Sequence, residues 1–254
     1  MAYLKSARSH LTLQAHIHKA HVDITKLKWS RIPVAGKPHE HSFVRNGEEK
    51  RTVSVTVDDK LGKDNLQGTI TSGVKELLVL KSSGSSFEDF WVDEFTTLKP
   101  VEDRIFSTAV QCEYTIPLPS SIPLTFSNLS TLGINFEHIY ASVENATLET
   151  FATHNSASVQ ATLYQMCERI LKEEKHVAEV SYKLPNKHYF AVDMAYINLK
   201  NTAPKDAEVN YLITFHSRFS FVLTASVFRQ VFMPVDHPSG LIVATVARSP
   251  AAKL

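Results

Sequence analysis

The chain has 254 residues, 43% of them hydrophobic, with a formal net charge of +1 and a sequence pI of about 7.8. That is enough apolar material for one large core or two small ones. So even a charge balance gives no sign of the basic face or stripe of a nucleic-acid binder or of an anionic-membrane partner.

The two cysteines, Cys112 and Cys167, stand far apart and no CxxC occurs. A thiolate zinc site is therefore not expected, and a reducing compartment is. Asn128 and Asn145 head sequons, read as accidental because no secretory signal precedes them.

In chain order, 16–29 reads as a strand and Gly36-Lys37-Pro38 as a turn. A second strand run covers 42–45 and 51–57, where Val53, Val55 and Val57 alternate with Thr52, Ser54 and Thr56, the period of a half-buried strand. The run Glu48-Glu49-Lys50-Arg51 reads as solvated surface. Residues 58–63 are polar with a glycine, a candidate domain boundary. Short strands are expected at 77–80 and 104–114, and Pro117, Pro119 and Pro123 mark a loop.

Two helices follow. Phe136, Ile139, Tyr140, Val143 and Phe151 share one face of the first, and Val159, Leu163, Met166 and Ile170 recur at helical spacing in the second. Asn155 or Ser156 is placed to cap the second, and Lys172 lies at its end, where positive charge is favoured. Strands return at 177–184, 188–193 and 241–246. Strands adjacent in sequence, interrupted by a helix pair, predict antiparallel pairing with helices on one face, an α+β fold.

The stretch 210–230 is rich in Phe, Val and Leu, but His216-Ser217-Arg218 interrupts it. Its unbroken apolar parts fall short of the ~20 residues a spanning helix needs, so no membrane span is expected. The chain ends Ala252-Lys253-Leu254, a variant of the Ser-Lys-Leu peroxisomal address.

No G-x-S-x-G, phosphate-loop or G-x-G-x-x-G pattern is present. The best metal candidate is His16, His18 and His21 with His39 and His41. On a strand His16 and His18 share a face, yet no carboxylate or thiolate completes a tetrahedral set. Hydrogen-bonded imidazoles on a polar sheet face are the plainer reading, and no metal is expected.

The run LLVLKSSGSSFEDFWVDEFTTLKPVEDR at 77–104 resembles the signature of the urate oxidase (uricase) family in its Leu-x-Val-Leu-Lys start, paired hydroxyls, Ser85-x-Phe87, Phe90, Phe95, Leu98 and terminal Arg104. GKPHEHSFVRNGEEKR at 36–51, NSASVQATLYQM at 155–166 and LPNKHYF at 184–190 agree with it. The similarity runs from about residue 15 to 201 and resumes near 234. It implies tunnelling-fold domains, each an antiparallel sheet with two helices, assembled into a homotetramer with active sites between subunits. It also implies oxidation of urate by O2 and water to 5-hydroxyisourate and hydrogen peroxide, with no metal or organic cofactor, in the peroxisome after import through the C-terminal tail.

By the same resemblance Phe87 stacks on urate, and Arg104 grips its oxygen and nitrogen edges through a planar fork. Gln160 pairs with the opposite edge through its amide, with the Val159 backbone N–H beside it. Leu98 forms an apolar wall, Asn186 holds dioxygen or water over the ring, and His188 belongs to the proton relay. Structural roles compete for each: a core Phe, a surface strand Arg, an ordinary first helical turn, core packing for Leu98, a turn Asn and a satisfied His.

Two departures stand out against the family pattern. The pattern starts about half a domain earlier, in a part that carries a Lys–Thr pair acting in proton abstraction, and no residue here takes those roles. Residues 210–230 have no counterpart. The expectation is a remnant of the first domain at 1–62 and a second domain at 63–254, with a late start and a retained intron as the cause. The alternative is a catalytically dead purine-binding or assembly protein of the same fold. A pterin-type tunnelling-fold enzyme leaves the 77–104 run unexplained.

Overall fold

The computed structural model describes residues 7–14, 17–25, 28–46, 49–62, 65–97, 99–120, 123–193, 195–198, 232–235 and 240–249. In chain order the elements are β1 (Ala7–Gln14), β2 (Ile17–Thr25), β3 (Lys28–Val34), β4 (Lys37–Asn46), β5 (Lys50–Asp58), β6 (Gln67–Lys81), β7 (Phe106–Pro117), α1 (Phe126–Thr131), α2 (Phe136–Thr153), α3 (Val159–Glu173), β8 (Glu179–Lys187), β9 (Tyr189–Ala191), β10 (Phe232–Pro234) and β11 (Gly240–Ala247). Among the described residues nine strands form one antiparallel sheet, ordered β1-β2-β5-β6-β7-β8-β11, with β4 pairing to the far part of β6 and carrying β3. β9 and β10 make a separate pair. The polar turn at 59–62 leads from β5 into β6, and those two strands pair from Lys50↔Lys75 to Asp58↔Gln67.

The sheet has two unlike faces, as alternation along each strand dictates. One face is apolar and covered by helices: α2 lies across β3, β4 and β6, and α3 lies across β8 and β11. Val110, Cys112, Tyr114, Val180, Tyr182 and Leu184 point into this layer and meet Ile139, Val143, Phe151, Leu163, Met166 and Ile170. Full burial of one such large side chain is worth about 1.5–3 kcal/mol, so this layer dominates the stability of the fold. The hydroxyl of Tyr182, wholly buried in this layer, has a partner: it lies 2.6 Å from Thr147 Oγ1. The other face is polar. Thr52, Ser54, Thr71, Lys75, Glu113, Thr115, Glu179 and Ser181 line a hollow there of about 330 Å³.

β6 is the longest strand and carries an irregularity. Val74 faces Cys112 and Leu77 faces Val110, so three residues of β6 advance where two of β7 do, and Glu76 takes φ 58°. This is a β-bulge. Just before it, Gly73 is required: a Cβ there would lie 2.0 Å from the Cys112 carbonyl oxygen.

The expected α+β architecture is present. Several boundaries differ from the sequence-based expectation. The strand expected at 16–29 is two, with Trp29 in β3. The strand expected at 77–80 is only the end of β6. α1 and β10 had no expectation. Residues 210–230 and the Ala252-Lys253-Leu254 tail lie outside the described residues. Among the described residues no helix is long and apolar enough to cross a membrane.

Candidate active site

Between β6 and β7 the chain leaves the sheet as a long strap, 82–105, and returns. Its two ends pair with each other: Phe87 N–H donates to Val101 O at 2.8 Å, Val101 N–H to Phe87 O at 3.0 Å, and Arg104 N–H to Ser85 O at 2.8 Å. On its other side the strap pairs with the segment before α3. Ser86 N–H donates to Ser156 O at 2.8 Å and Ser156 N–H to Gly84 O at 3.1 Å. One short ladder thus joins the strap to the N-terminus of α3. Gly84 sits at φ +77°, a conformation that suits glycine, and rests against the Lys81 side chain.

The strap brings Phe87 and Arg104 together. The guanidinium carbon lies 5.1 Å from the centroid of the Phe87 ring. Phe90 stacks on the same ring with centroids 4.5 Å apart. Arg104 is half-buried, and loss of water around it lowers its pKa from the usual guanidinium range, which still leaves it charged. Its Nε is buried with no acceptor among the described residues. A charged donor left in that condition is costly unless something else accepts from it.

α3 begins beside the ladder. Its cap is Ser158, whose hydroxyl accepts from Ala161 N–H at 3.1 Å. The expectation of Asn155 or Ser156 is corrected here: Ser156 Oγ instead donates to Ser158 O at 2.9 Å and accepts from Thr162 Oγ1 at 2.8 Å. The side chain of Val159 is in the core and that of Gln160 is exposed. Their N–H groups precede the first intrahelical bonds, where a helix favours an anion. Among the described residues no hydrogen bond joins Gln160 to Arg104.

Asn186 stands near the end of β8, opposite Thr108 of β7 and Gly240 of β11. His188 follows, its carbonyl accepting from Val235 N–H at 3.0 Å. Burial, and then the nearby positive charge of Arg104, lower the His188 pKa from its usual value of 6.5. The ring is therefore neutral at neutral pH and able to accept a proton. Arg104 thus has Phe87 against it and His188 within electrostatic reach. Val159 and Gln160 connect to the pair through the ladder. Leu98 lies outside the described residues.

Two polar residues behind this site, Lys81 and Asp103, were given no role from sequence. Lys81 is almost wholly buried, donates to His154 O at 2.6 Å, and has its pKa lowered to about 8 by burial, opposed by Asp103. The Asp103 carboxylate accepts from Ser83 Oγ at 2.7 Å, Gly84 N–H at 2.8 Å and Ser85 N–H at 3.3 Å. Only position hints at them in the sequence: Lys81 ends the apolar run of β6 and Asp103 precedes Arg104. His39 and His41 meet edge to face, centroids 4.6 Å apart. Burial lowers both pKa values, helped at His39 by His41 and then Lys81, and at His41 by Lys81. A cation neighbour is poor company for a metal ion. His16 lies outside the described residues. His18 and His21 occupy β2 opposite Val57 and Ser54 of β5.

An antiparallel sheet with a helix pair on one face, with an aromatic–arginine pair joined by a short ladder to a helix N-terminus, is the architecture of a tunnelling-fold protein. The family description "Uricase" matches residues 2–56 and 70–243. The uricase of Schizosaccharomyces pombe is 40% identical over 244 residues, 96% of this chain and 71% of that protein. That of Aspergillus flavus is 41% identical over 235 residues, 92% of this chain and 67% of that protein. A solved uricase from Arthrobacter globiformis superposes with a TM-score of 0.62 at 27% identity, covering 92% of this chain and 63% of that one. The chain belongs to the uricase family. It spans about 70% of the length of these fungal relatives and less than two thirds of the solved bacterial chain.

Proposed function

We propose that the chain is a urate oxidase protomer, catalysing urate + O2 + H2O → 5-hydroxyisourate + H2O2. The observation that carries this reading is Arg104: a half-buried guanidinium whose buried Nε has no acceptor among the described residues, held against the ring of Phe87. A planar purine anion satisfies both at once. Its oxygen and nitrogen edge accepts from the guanidinium fork and its π-face stacks on the phenyl ring.

In this reading Gln160 and the Val159 N–H hold the far edge of the purine, with Leu98 as an apolar wall. Asn186 holds O2 or water over the ring. His188, kept neutral by burial and Arg104, accepts and returns a proton. Urate supplies the electrons, so the protein binds, orients and deprotonates. By family resemblance no cofactor is required, the working assembly is a homotetramer with sites shared between subunits, and the Ala252-Lys253-Leu254 tail directs import into peroxisomes. The same resemblance divides the chain into domains at 1–62 and 63–254.

The test is urate binding without oxygen, by equilibrium dialysis, followed by urate-dependent oxygen uptake. Arg104→Lys keeps the charge and removes the fork, and is expected to weaken binding by about tenfold or more. Undiminished binding by this variant would defeat the assignment. Binding by the unaltered chain without any oxygen uptake would favour the purine-binding alternative.

A further inference from the structure

The residues assigned to substrate lie on separate elements, so something must set the distance between them. Phe87 and Arg104 ride on the strap, whereas Val159 and Gln160 open α3. The only described backbone connection between the two groups is the ladder through Gly84, Ser86 and Ser156. The shape of 83–86 therefore decides how far the aromatic–arginine pair stands from the helix terminus.

That shape is held by one side chain. Asp103 points its carboxylate into the concave side of the strap. One oxygen accepts from the Ser83 hydroxyl at 2.7 Å, and the other accepts from the N–H groups of Gly84 at 2.8 Å and Ser85 at 3.3 Å. Hydrogen bonds to an ionised acceptor are about twice as strong as neutral ones. Asp103 also adjoins Arg104, whose N–H closes the strap on Ser85 O at 2.8 Å. From below, the Lys81 side chain fills the space beside Gly84, and its Nζ is tied to His154 O. The strap is thus fixed from within by Asp103 and from beneath by Lys81.

We propose that Asp103 is a positioning residue that, by gathering Ser83, Gly84 and Ser85 onto its carboxylate, sets the separation between Phe87–Arg104 and Val159–Gln160 that a purine requires. Asp103 itself touches no substrate. The inference rests on the urate reading above.

The experiment compares the unaltered chain with Asp103→Ala, Asp103→Asn and Ser83→Ala. Two measurements are made on each: amide hydrogen exchange of peptides covering 82–88, and urate affinity without oxygen. Asp103→Ala is expected to speed exchange at Gly84 and Ser85 by about tenfold or more and to weaken urate binding comparably, since three bonds to a charged acceptor are lost. Asp103→Asn keeps an oxygen for the two N–H groups and should recover urate affinity to within about threefold of the unaltered chain. Ser83→Ala removes one arm only and should fall between them. Peptides from β7 and α2 should exchange as before in every variant.

If Asp103→Ala proves insoluble, the Asn and Ser83 variants carry the same comparison. Unchanged exchange at 82–88, or faster exchange with unchanged urate affinity, overturns the proposal. Equal losses in Asp103→Asn and Asp103→Ala overturn it too, because an isosteric amide would not rescue. Failure of the unaltered chain to bind urate overturns the functional reading instead, and the exchange contrast then decides whether Asp103 holds the strap.

Discussion

Lys81 shows how one residue couples burial to pH. Its amine sits under the strap with a single carbonyl acceptor, and burial lowers its pKa from 10.5 to about 8. Between those two values the unfolded chain binds more protons at this site than the folded chain does. Stability therefore rises with pH across this window, and below pH 8 the buried charge is a constant cost. Lys81→Met removes the titration. Urea unfolding of both proteins from pH 7.5 to 10.5 should show the unaltered chain gaining on the variant by on the order of 3 kcal/mol, the equivalent of that shift. Parallel curves would mean that the amine is already solvated in the folded state. None of this is legible in the sequence, where Lys81 is one lysine after an apolar run. Asp103 is hidden for the same reason: its partners lie some 20 residues back, and hydrogen bonds across a strap leave no periodic trace. Phe87, Arg104, Gln160 and His188 were singled out only because they fall in recognisable motif blocks.

The strands and helices were readable where their periods ran unbroken. Val53, Val55 and Val57 gave β5, and the apolar spacings of α2 and α3 survived almost to the residue. The first half of β6 escaped for a physical reason. Gly68 and Gly73 carry no side chain, Thr69, Thr71 and Ser72 blur the contrast between faces, and the bulge breaks the alternation before Leu77 restarts it. Gly73 is absent from propensity arguments yet indispensable to the pairing of β6 with β7. Gly73→Ala would push a methyl into the Cys112 carbonyl, and two central strands would have to part. The expected loss is about 3 kcal/mol or more, at the upper end of overpacking costs because the obstacle is backbone. Chemical unfolding measures it, and a loss under about 1 kcal/mol would show that the strands separate readily there. The cap of α3 was misplaced by a few residues because Asn155, Ser156 and Ser158 all suit the role, and the bond from Thr162 to Ser156 decides among them.

At the scale of the whole molecule, the sheet is a partition. The helix layer with its apolar core occupies one side, and a polar hollow lies on the other. Its central strands, β6, β7 and β8, each pair on both sides, whereas β1 and β11 pair on one side among the described residues. The strap and the N-terminus of α3 belong to the helix side, so the candidate site shares that layer. The two-faced architecture was legible as alternation and helix spacing. Which side the long loop would leave from was not.

That choice is made by counting. Along β6, Ile70 and Val74 lie on the core side at even positions, but Leu77, Val79 and Lys81 lie there at odd ones. The surplus residue of the bulge is a parity switch, and everything downstream of it inherits the inverted count. Deleting Glu76 alone removes the surplus residue and leaves Val74, Lys75 and Leu77 in strict alternation, so Leu77, Val79 and Lys81 keep the core side. Deleting Lys75 as well would turn those three toward the polar hollow, and the strap would set out from the wrong side of the partition, away from Ser156 and α3. The single deletion is expected to keep a cooperative urea transition and the near-ultraviolet circular dichroism of a packed core, and the double deletion to abolish both. Loss of the transition in the single deletion would show that the bulge does more than keep the count.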